Sequence, residues 1–219
     1  MSDPNIPHPQ PRFRTHDTAR YDAIVVGVGG MGSAAVFELA RRGLHVLGLE
    51  QFDIPHERGS SHGINRIIRL AYFEHPAYVP LLRRAYERWR ALELLRGEQL
   101  LFITGGIDAG RAGSRTVAGS LRSCEVHDLP HELLDAAELH RRYPGYRLAA
   151  DMQAVYQPDG GFVLCERAIV GYVEAAHDLG AHIHAREPVI GWEPTGNGAV
   201  VRTGNATYHT SRLVLTAGP

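Results

Sequence analysis

Cysteine is scarce in this chain. Cys124 and Cys165 are the only two among 219 residues, and they form no C-x-x-C. No disulfide framework and no cysteine-based zinc site is implied. Long apolar runs are missing too. The most apolar stretch, residues 23–40, is broken by glycines and Glu38, and it is shorter than the ~20 residues a membrane span needs. Neither sign of charge dominates: 23 basic residues face 24 acidic ones, for a net charge of -1. That excludes bulk attraction to nucleic acid or to an anionic membrane. Residues 1–20 have no apolar h-region and carry Pro4, Pro7, Pro9 and Pro11 among polar neighbours. They read as a disordered leader rather than a signal peptide, with the cytoplasm as the expected compartment. No internal repeat appears. What remains is ordinary for a soluble globular protein, 44% hydrophobic and 21% charged, with length for one large domain or two small ones.

Residues 21–50, YDAIVVGVGGMGSAAVFELARRGLHVLGLE, organise the rest. The run Ala23, Ile24, Val25, Val26 predicts a strand buried on both faces. Gly27, Gly29 and Gly32 then follow in the spacing G-x-G-x-x-G. Gly27 allows a tight turn, Gly29 lets the backbone approach a pyrophosphate, and Gly32 lets the next helix pack close to the strand. Helical spacing of Met31, Ala34, Ala35 and Leu39 predicts a helix over residues 31–42 with those four as its apolar side, stopped by Gly43. Residues 45–49 form a second strand, with Glu50 at its carboxyl end. A carboxylate there can hold the ribose hydroxyls of an adenine nucleotide whose diphosphate sits at the helix N-terminus. A glycine-rich turn that binds nothing would leave Glu50 unexplained.

Further on, residues 51–78 are too polar and glycine-rich for a core element, yet they hold His62, Arg66 and Arg69, and Ile67 and Ile68 between the arginines imply that part of the segment packs inward. Pro80 can open a helix striped by Leu82, Tyr86, Trp89 and Leu92, its arginines forming a solvated face. A strand is expected over 99–107, a helix over 132–143, a strand over 152–157, a turn at Pro158-Asp159-Gly160-Gly161, and a helix over 165–179. Residues 110–129 give no clear pattern. In the strand expected over 181–185, His182 and His184 share a face. A metal would need a third ligand that nothing nearby supplies, so they read as exposed strand histidines and no metal is expected. A hairpin turning at Gly204-Asn205 and a last buried strand over 212–216 close the chain. A meander between the third and fourth parallel strands points to flavin rather than nicotinamide domains.

The glycine motif, Pro55-His56, GSSHGINRIIRLAY over 59–72, Tyr78-Val79-Pro80, Arg142-Tyr143-Pro144-Gly145, Pro158-Asp159-Gly160-Gly161-Phe162 and the closing LVLTAG together resemble the monomeric sarcosine oxidase and N-methyltryptophan oxidase family of flavoproteins. This chain has Ser61-His62 where the family has two successive histidines, and Ile64-Asn65 where it often has Asp-Thr. The resemblance implies an α/β fold: a Rossmann-type FAD-binding domain with an interleaved, incomplete antiparallel-sheet substrate domain. It implies FAD as cofactor, held at Gly27, Gly29, Gly30, Met31, Gly32, Glu50, Gln51, Ser60, Arg66, Val189, Ala217 and Gly218. His62 and Arg66 are implied near the flavin ring, and Arg69 on the substrate carboxylate. Arginine suits that last role because its fixed fork matches a carboxylate and stays charged.

The expected organisation is a leader over 1–20, FAD-binding parts over 21–100 and 163–219, and a substrate-domain part over 101–162. The expected reaction is oxidation of a secondary amine in an N-methyl amino acid, with oxygen as acceptor and hydrogen peroxide as product. The amine substrate and oxygen are the expected partners, with no nucleic acid, no membrane and a monomeric full-length protein. Family members are nearly twice this length, so the chain is expected to be an N-terminal fragment. An inactive nucleotide-binding fragment and an FAD- or NAD-dependent dehydrogenase of another amino acid are the alternatives.

Overall fold

A computed structural model describes residues 19–218, which divide into two compact units. One runs up to Ile54 and resumes at Ala176; the other is Pro55–Ala175. Residues 55–100 and 163–175 lie in the second of these units. The leader expected over 1–20 lies outside the described residues as far as residue 18. Its end is ordered: Arg20–Tyr21 is a strand, β1.

The first unit opens with β1, β2 (Ala23–Val26), α1 (Gly30–Ala40) and β3 (Val46–Leu49). The second holds β4 (Arg66–Ile68), α2 (Tyr78–Arg96), β5 (Leu101–Ile103), β6 (Gly106–Arg111), α3 (Arg115–His127), β7 (Glu132–Asp135), α4 (Ala136–Arg142), β8 (Met152–Gln157) and β9 (Gly161–Val163). Helix α5 (Cys165–Asp178) leads back to the first unit. There β10 (His182–His184), β11 (Val189–Thr195), β12 (Gly198–Thr203), β13 (Thr207–Thr210) and β14 (Leu213–Leu215) complete the chain.

In the first unit the order β10-β3-β2-β14 makes a sheet whose neighbours are all parallel. These are the third, second, first and fourth of its strands in chain order, the Rossmann arrangement, with its reversal between β2 and β14. Such a sheet is covered on both faces, which is why β2 and β3 read as unbroken apolar runs: Ile24, Val25 and Leu47 are fully buried. Each such side chain contributes about 1.5–3 kcal/mol by leaving water. Between the third and fourth strands lies the expected meander, β11-β12-β13 antiparallel, with β1 added parallel to β13. Tyr21, Ile24, Leu47, Leu49, Val201 and Tyr208 form this unit's core.

Helix α1 turns a different side inward than its spacing predicts. Gly32, Ser33, Val36, Phe37 and Ala40 are buried, while Met31 is 79% exposed. Small apolar residues surround this helix, so periodicity alone cannot choose; the side bearing Gly32 can approach the strand closest. Strand β14 lies at the sheet edge rather than in the interior, with Leu215 54% exposed.

The second unit has two antiparallel sheets, β4-β9-β5 and β6-β8-β7. The strand expected over 99–107 is two strands, broken at Thr104-Gly105, where Gly105 takes φ +80°. The patternless stretch 110–129 contains α3, capped by Ser114, whose side chain accepts from the Val117 N–H. Only Ile68 of the pair in β4 packs inward; Ile67 is 71% exposed. Over 132–143 the expected helix begins late. Glu132–Asp135 pairs with β8 before Asp135 caps α4 by accepting from the Glu138 N–H at 2.8 Å. Leu133 and Leu134 are adjacent, which disguises an alternating strand as a helical turn.

Candidate functional site

The glycine loop follows β2 at the switch point of the parallel sheet, where such folds take their ligands. Its three glycines have three different reasons to be glycine. Gly27 sits at φ +89°, and a Cβ there would meet the Ala217 Cα at 2.6 Å. At Gly32 a Cβ would lie 1.8 Å from the Gly27 carbonyl oxygen, so helix and loop touch backbone to backbone. At Gly29 a Cβ would meet nothing within 4 Å. The fold needs the first two; only something outside the fold needs the third.

Gly29 is the N-cap of α1 and supplies no side-chain acceptor, and the first turn carries no acidic residue. The first helical bond runs from the Ser33 N–H to the Gly29 carbonyl at 2.9 Å. The N–H groups of Gly30, Met31 and Gly32 have no acceptor among the described residues. An uncapped row of donors at the positive end of a helix dipole suits a diphosphate. The open space at Gly29 and this donor row fit the diphosphate of FAD.

Glu50 is 4% exposed at the end of β3. Its carboxylate accepts from the Val28 N–H at 2.8 Å and the Phe52 N–H at 3.1 Å. It therefore shapes the glycine loop itself, a task its position in the sequence does not reveal. Its backbone is gripped in turn, donating to the His184 carbonyl at 2.9 Å and accepting from the Glu187 N–H at 2.8 Å. Glu187 is buried and accepts from Thr203 Oγ1 and Tyr208 OH, both at 2.7 Å, and pairs with His184 Nδ1 at 2.9 Å. Burial pushes the Glu187 carboxyl up, but the bonds from Tyr208 and Thr203 and the neighbouring His184 outweigh it, so its pKa is lowered. Burial and then Glu187 raise the Tyr208 hydroxyl. His182 Nδ1 shares a hydrogen bond with Tyr21 OH at 2.9 Å. His182 is exposed as expected and His184 is half-buried, and both have hydrogen-bond partners.

Of the other expected cofactor residues in this unit, Gln51 and Met31 are exposed, and Val189 opens β11 opposite Thr203, two residues beyond Glu187. Ala217 and Gly218 follow β14 beside Gly27. Thr216 ties that end to the loop, donating from Oγ1 to the carbonyls of Gly27 at 2.8 Å and Val26 at 3.1 Å. Sequence reasoning missed Thr216, which lies far along the chain from the loop it holds.

In the second unit, residues 59–66 form an exposed loop stitched by its own side chains. Arg66 donates to the carbonyls of Asn65 at 2.8 Å and Ser60 at 3.0 Å. His62 Nδ1 lies 2.6 Å from the Gly59 carbonyl. The start of α5 grips Gly63 from both sides: its N–H donates to Glu166 Oε1 at 2.7 Å, and its carbonyl accepts from Cys165 Sγ at 3.0 Å. Gly63 has φ +93°, the one local sign that this loop is held in a special conformation.

Arg69 stands apart from that loop, half-buried in a polar cluster. Its Nε is ion-paired with Asp108 Oδ2 at 3.4 Å, and its guanidinium lies over the rings of Tyr72 at 4.9 Å and Phe73 at 5.9 Å. Asp108 Oδ2 also accepts from Ser120 Oγ at 2.8 Å and Gln157 Nε2 at 3.1 Å. Gln157 Oε1 in turn accepts from the Ala71 N–H at 2.9 Å. Neither Nη1 nor Nη2 of Arg69 has an acceptor among the described residues. A half-buried fork, its side chain 21% exposed, with two unused donor groups is suited to a carboxylate arriving from solvent.

A Rossmann sheet, an uncapped helix start at its switch point, a buried acid beside it and an inserted antiparallel part define a dinucleotide-binding flavoprotein. The family of FAD dependent oxidoreductases matches over residues 22–219, and the chain belongs to it. It is similar to monomeric sarcosine oxidase of Streptomyces avermitilis, 48% identical over 198 residues that cover 90% of this chain and 52% of that one. N-methyl-L-tryptophan oxidase of Salmonella arizonae is 36% identical over 199 residues, covering 91% of this chain and 54% of that one. Among solved structures, NikD, described as an unusual amino acid oxidase essential for nikkomycin biosynthesis, is 30% identical with a TM-score of 0.82. That match covers 92% of this chain and 52% of NikD. The chain spans about half the length of the curated relatives it matches. No helix among the described residues is long and apolar enough to cross a membrane.

Proposed function

We propose that this chain supplies the FAD-binding and carboxylate-binding residues of an oxidase of secondary amines, acting on N-methyl amino acids such as sarcosine or N-methyltryptophan. Gly29, Gly30, Met31 and Gly32 hold the diphosphate through backbone N–H groups, and Glu50 holds the ribose while fixing the loop through Val28. Gln51, Ser60, Val189, Ala217 and Gly218 complete the cofactor's surroundings, and His62 and Arg66 lie near its ring. Bound there, FAD would supply an acceptor for the hydride on the carbon next to the amine nitrogen and a route for the electrons to oxygen, with hydrogen peroxide as product. Arg69 orients the substrate by its carboxylate, which needs no proton transfer because guanidinium stays charged at any working pH. The imine left by the oxidation hydrolyses to an aldehyde and an amine. A cytoplasmic, monomeric protein belongs to the same proposal.

The observation that carries the substrate class is the fork of Arg69, which is ion-paired with Asp108 at Nε and has no acceptor at Nη1 or Nη2 among the described residues. Arg69→Lys keeps the charge and loses the fork. KM for N-methyl amino acids should rise about tenfold or more, since a charge-assisted bidentate contact is lost in ground and transition states alike. Neutral secondary amines should shift by much less. Equal shifts for acids and neutral amines would assign Arg69 to structure and the carboxylate to another residue.

A further inference from the structure

We infer that Asp108 makes Arg69 selective for dipolar amino acids over simple carboxylic anions; this rests on Arg69 being the carboxylate ligand. Asp108 Oδ2 lies 3.4 Å from Arg69 Nε, yet Nε has no hydrogen-bond partner. The pair is therefore coupled by charge, with little directional bonding between them. Directional bonds hold Asp108 from elsewhere, through Ser120 Oγ and Gln157 Nε2, and both of those residues are buried. The Asp108 side chain is itself only 12% exposed, so water screens it poorly. A carboxylate is thus built in, held by two buried side chains, behind the fork of Arg69.

The consequence follows from charge alone. An anion docking on Nη1 and Nη2 is attracted by Arg69 and repelled by Asp108 from across a single guanidinium. A simple carboxylate carries only the repelled charge. An N-methyl amino acid near neutral pH carries an ammonium as well, and the attraction of Asp108 for that cation offsets its repulsion of the carboxylate. The neutral Arg69–Asp108 pair therefore discriminates against acids that lack an amine, which an isolated arginine would bind well.

The test uses FAD-loaded protein and calorimetric binding of two ligands that resist oxidation. Methoxyacetate has an ether oxygen in place of the amine and is a simple anion. Trimethylglycine is dipolar, and its quaternary nitrogen has no lone pair to drive oxidation. In Asp108→Asn, whose amide oxygen can still accept from Ser120 and Gln157, methoxyacetate should bind about tenfold tighter through loss of the repulsion, and trimethylglycine should change less than twofold. Asp108→Ser, a smaller neutral replacement, carries the same expectation if the asparagine variant does not fold. An unchanged ratio of the two affinities, or equal weakening of both, overturns the inference. Arg69→Lys separates the two layers. If it leaves methoxyacetate binding unchanged, the assignment of Arg69 as the carboxylate ligand fails; if it abolishes binding while the Asp108 variants keep the wild-type ratio, only the role of Asp108 fails.

Discussion

The glycines of the loop can be separated by experiment, because the structure gives each a different neighbour. A methyl group at Gly29 meets nothing within 4 Å, and the residue takes φ -80°, which any side chain can adopt. Gly29→Ala should therefore cost the fold only about 0.5 kcal/mol, the difference between glycine and alanine as an N-cap. A methyl group at Gly32 would stand 1.8 Å from the Gly27 carbonyl oxygen, a contact that only a shift of α1 can relieve. Overpacking of that kind costs about 1–3 kcal/mol or more. The two variants should thus diverge. Gly32→Ala lowers the melting temperature whether or not flavin is present. Gly29→Ala melts within a degree or two of wild type when free of cofactor, but binds FAD weakly, and Gly29→Val should not bind it at all. Circular dichroism melts and quenching of FAD fluorescence read the two quantities separately. Retention of FAD by Gly29→Val at wild-type stoichiometry would refute the placement of the diphosphate at this helix start.

Two further outcomes follow from the buried acids of the first unit. Glu50→Ala removes the acceptor for the Val28 and Phe52 N–H groups, so it should lose about 1–3 kcal/mol of stability in the absence of FAD, and more in its presence; equal losses would remove ribose from its role. Glu187 has its pKa lowered from an ordinary 4.5, so its contribution to stability is present above about that pH and fades as the pH falls through the lower folded value. Denaturant midpoints measured from pH 6 downward should drop less steeply for Glu187→Gln than for wild type, and parallel curves would contradict the assignment.

What could be read from the chain was what is local. The strands β2 and β3, the glycine spacing and Glu50 lie within thirty consecutive residues, so each choice supports the next and the unit is legible as written. The inward side of α1 was not legible, because Met31, Ala34, Ala35 and Leu39 are no more apolar than the residues that pack. Helix α3 was hidden by Gly113 and Gly119; at Gly119 a Cβ would lie 2.1 Å from the Phe73 carbonyl oxygen, so that glycine serves close packing rather than a turn. The side chains that secure the site were the least visible. Thr216 on the glycine loop, Glu166 on Gly63, Asp108 on Arg69 and Glu187 beside Glu50 act on partners that only folding brings near, and nothing around them in the chain marks them out. Arg69 itself was found through its resemblance to known flavoproteins; its free fork and its fixed counter-charge are properties of the folded unit.

The most direct test is an anaerobic titration of the purified, FAD-loaded protein with sarcosine or N-methyl-L-tryptophan. The visible flavin band should bleach as the amine is added and return when air is admitted, with hydrogen peroxide formed in proportion. A flavin band that neither amine bleaches, or a protein that takes up no FAD at all, would contradict its reading as an amine-oxidising flavoprotein.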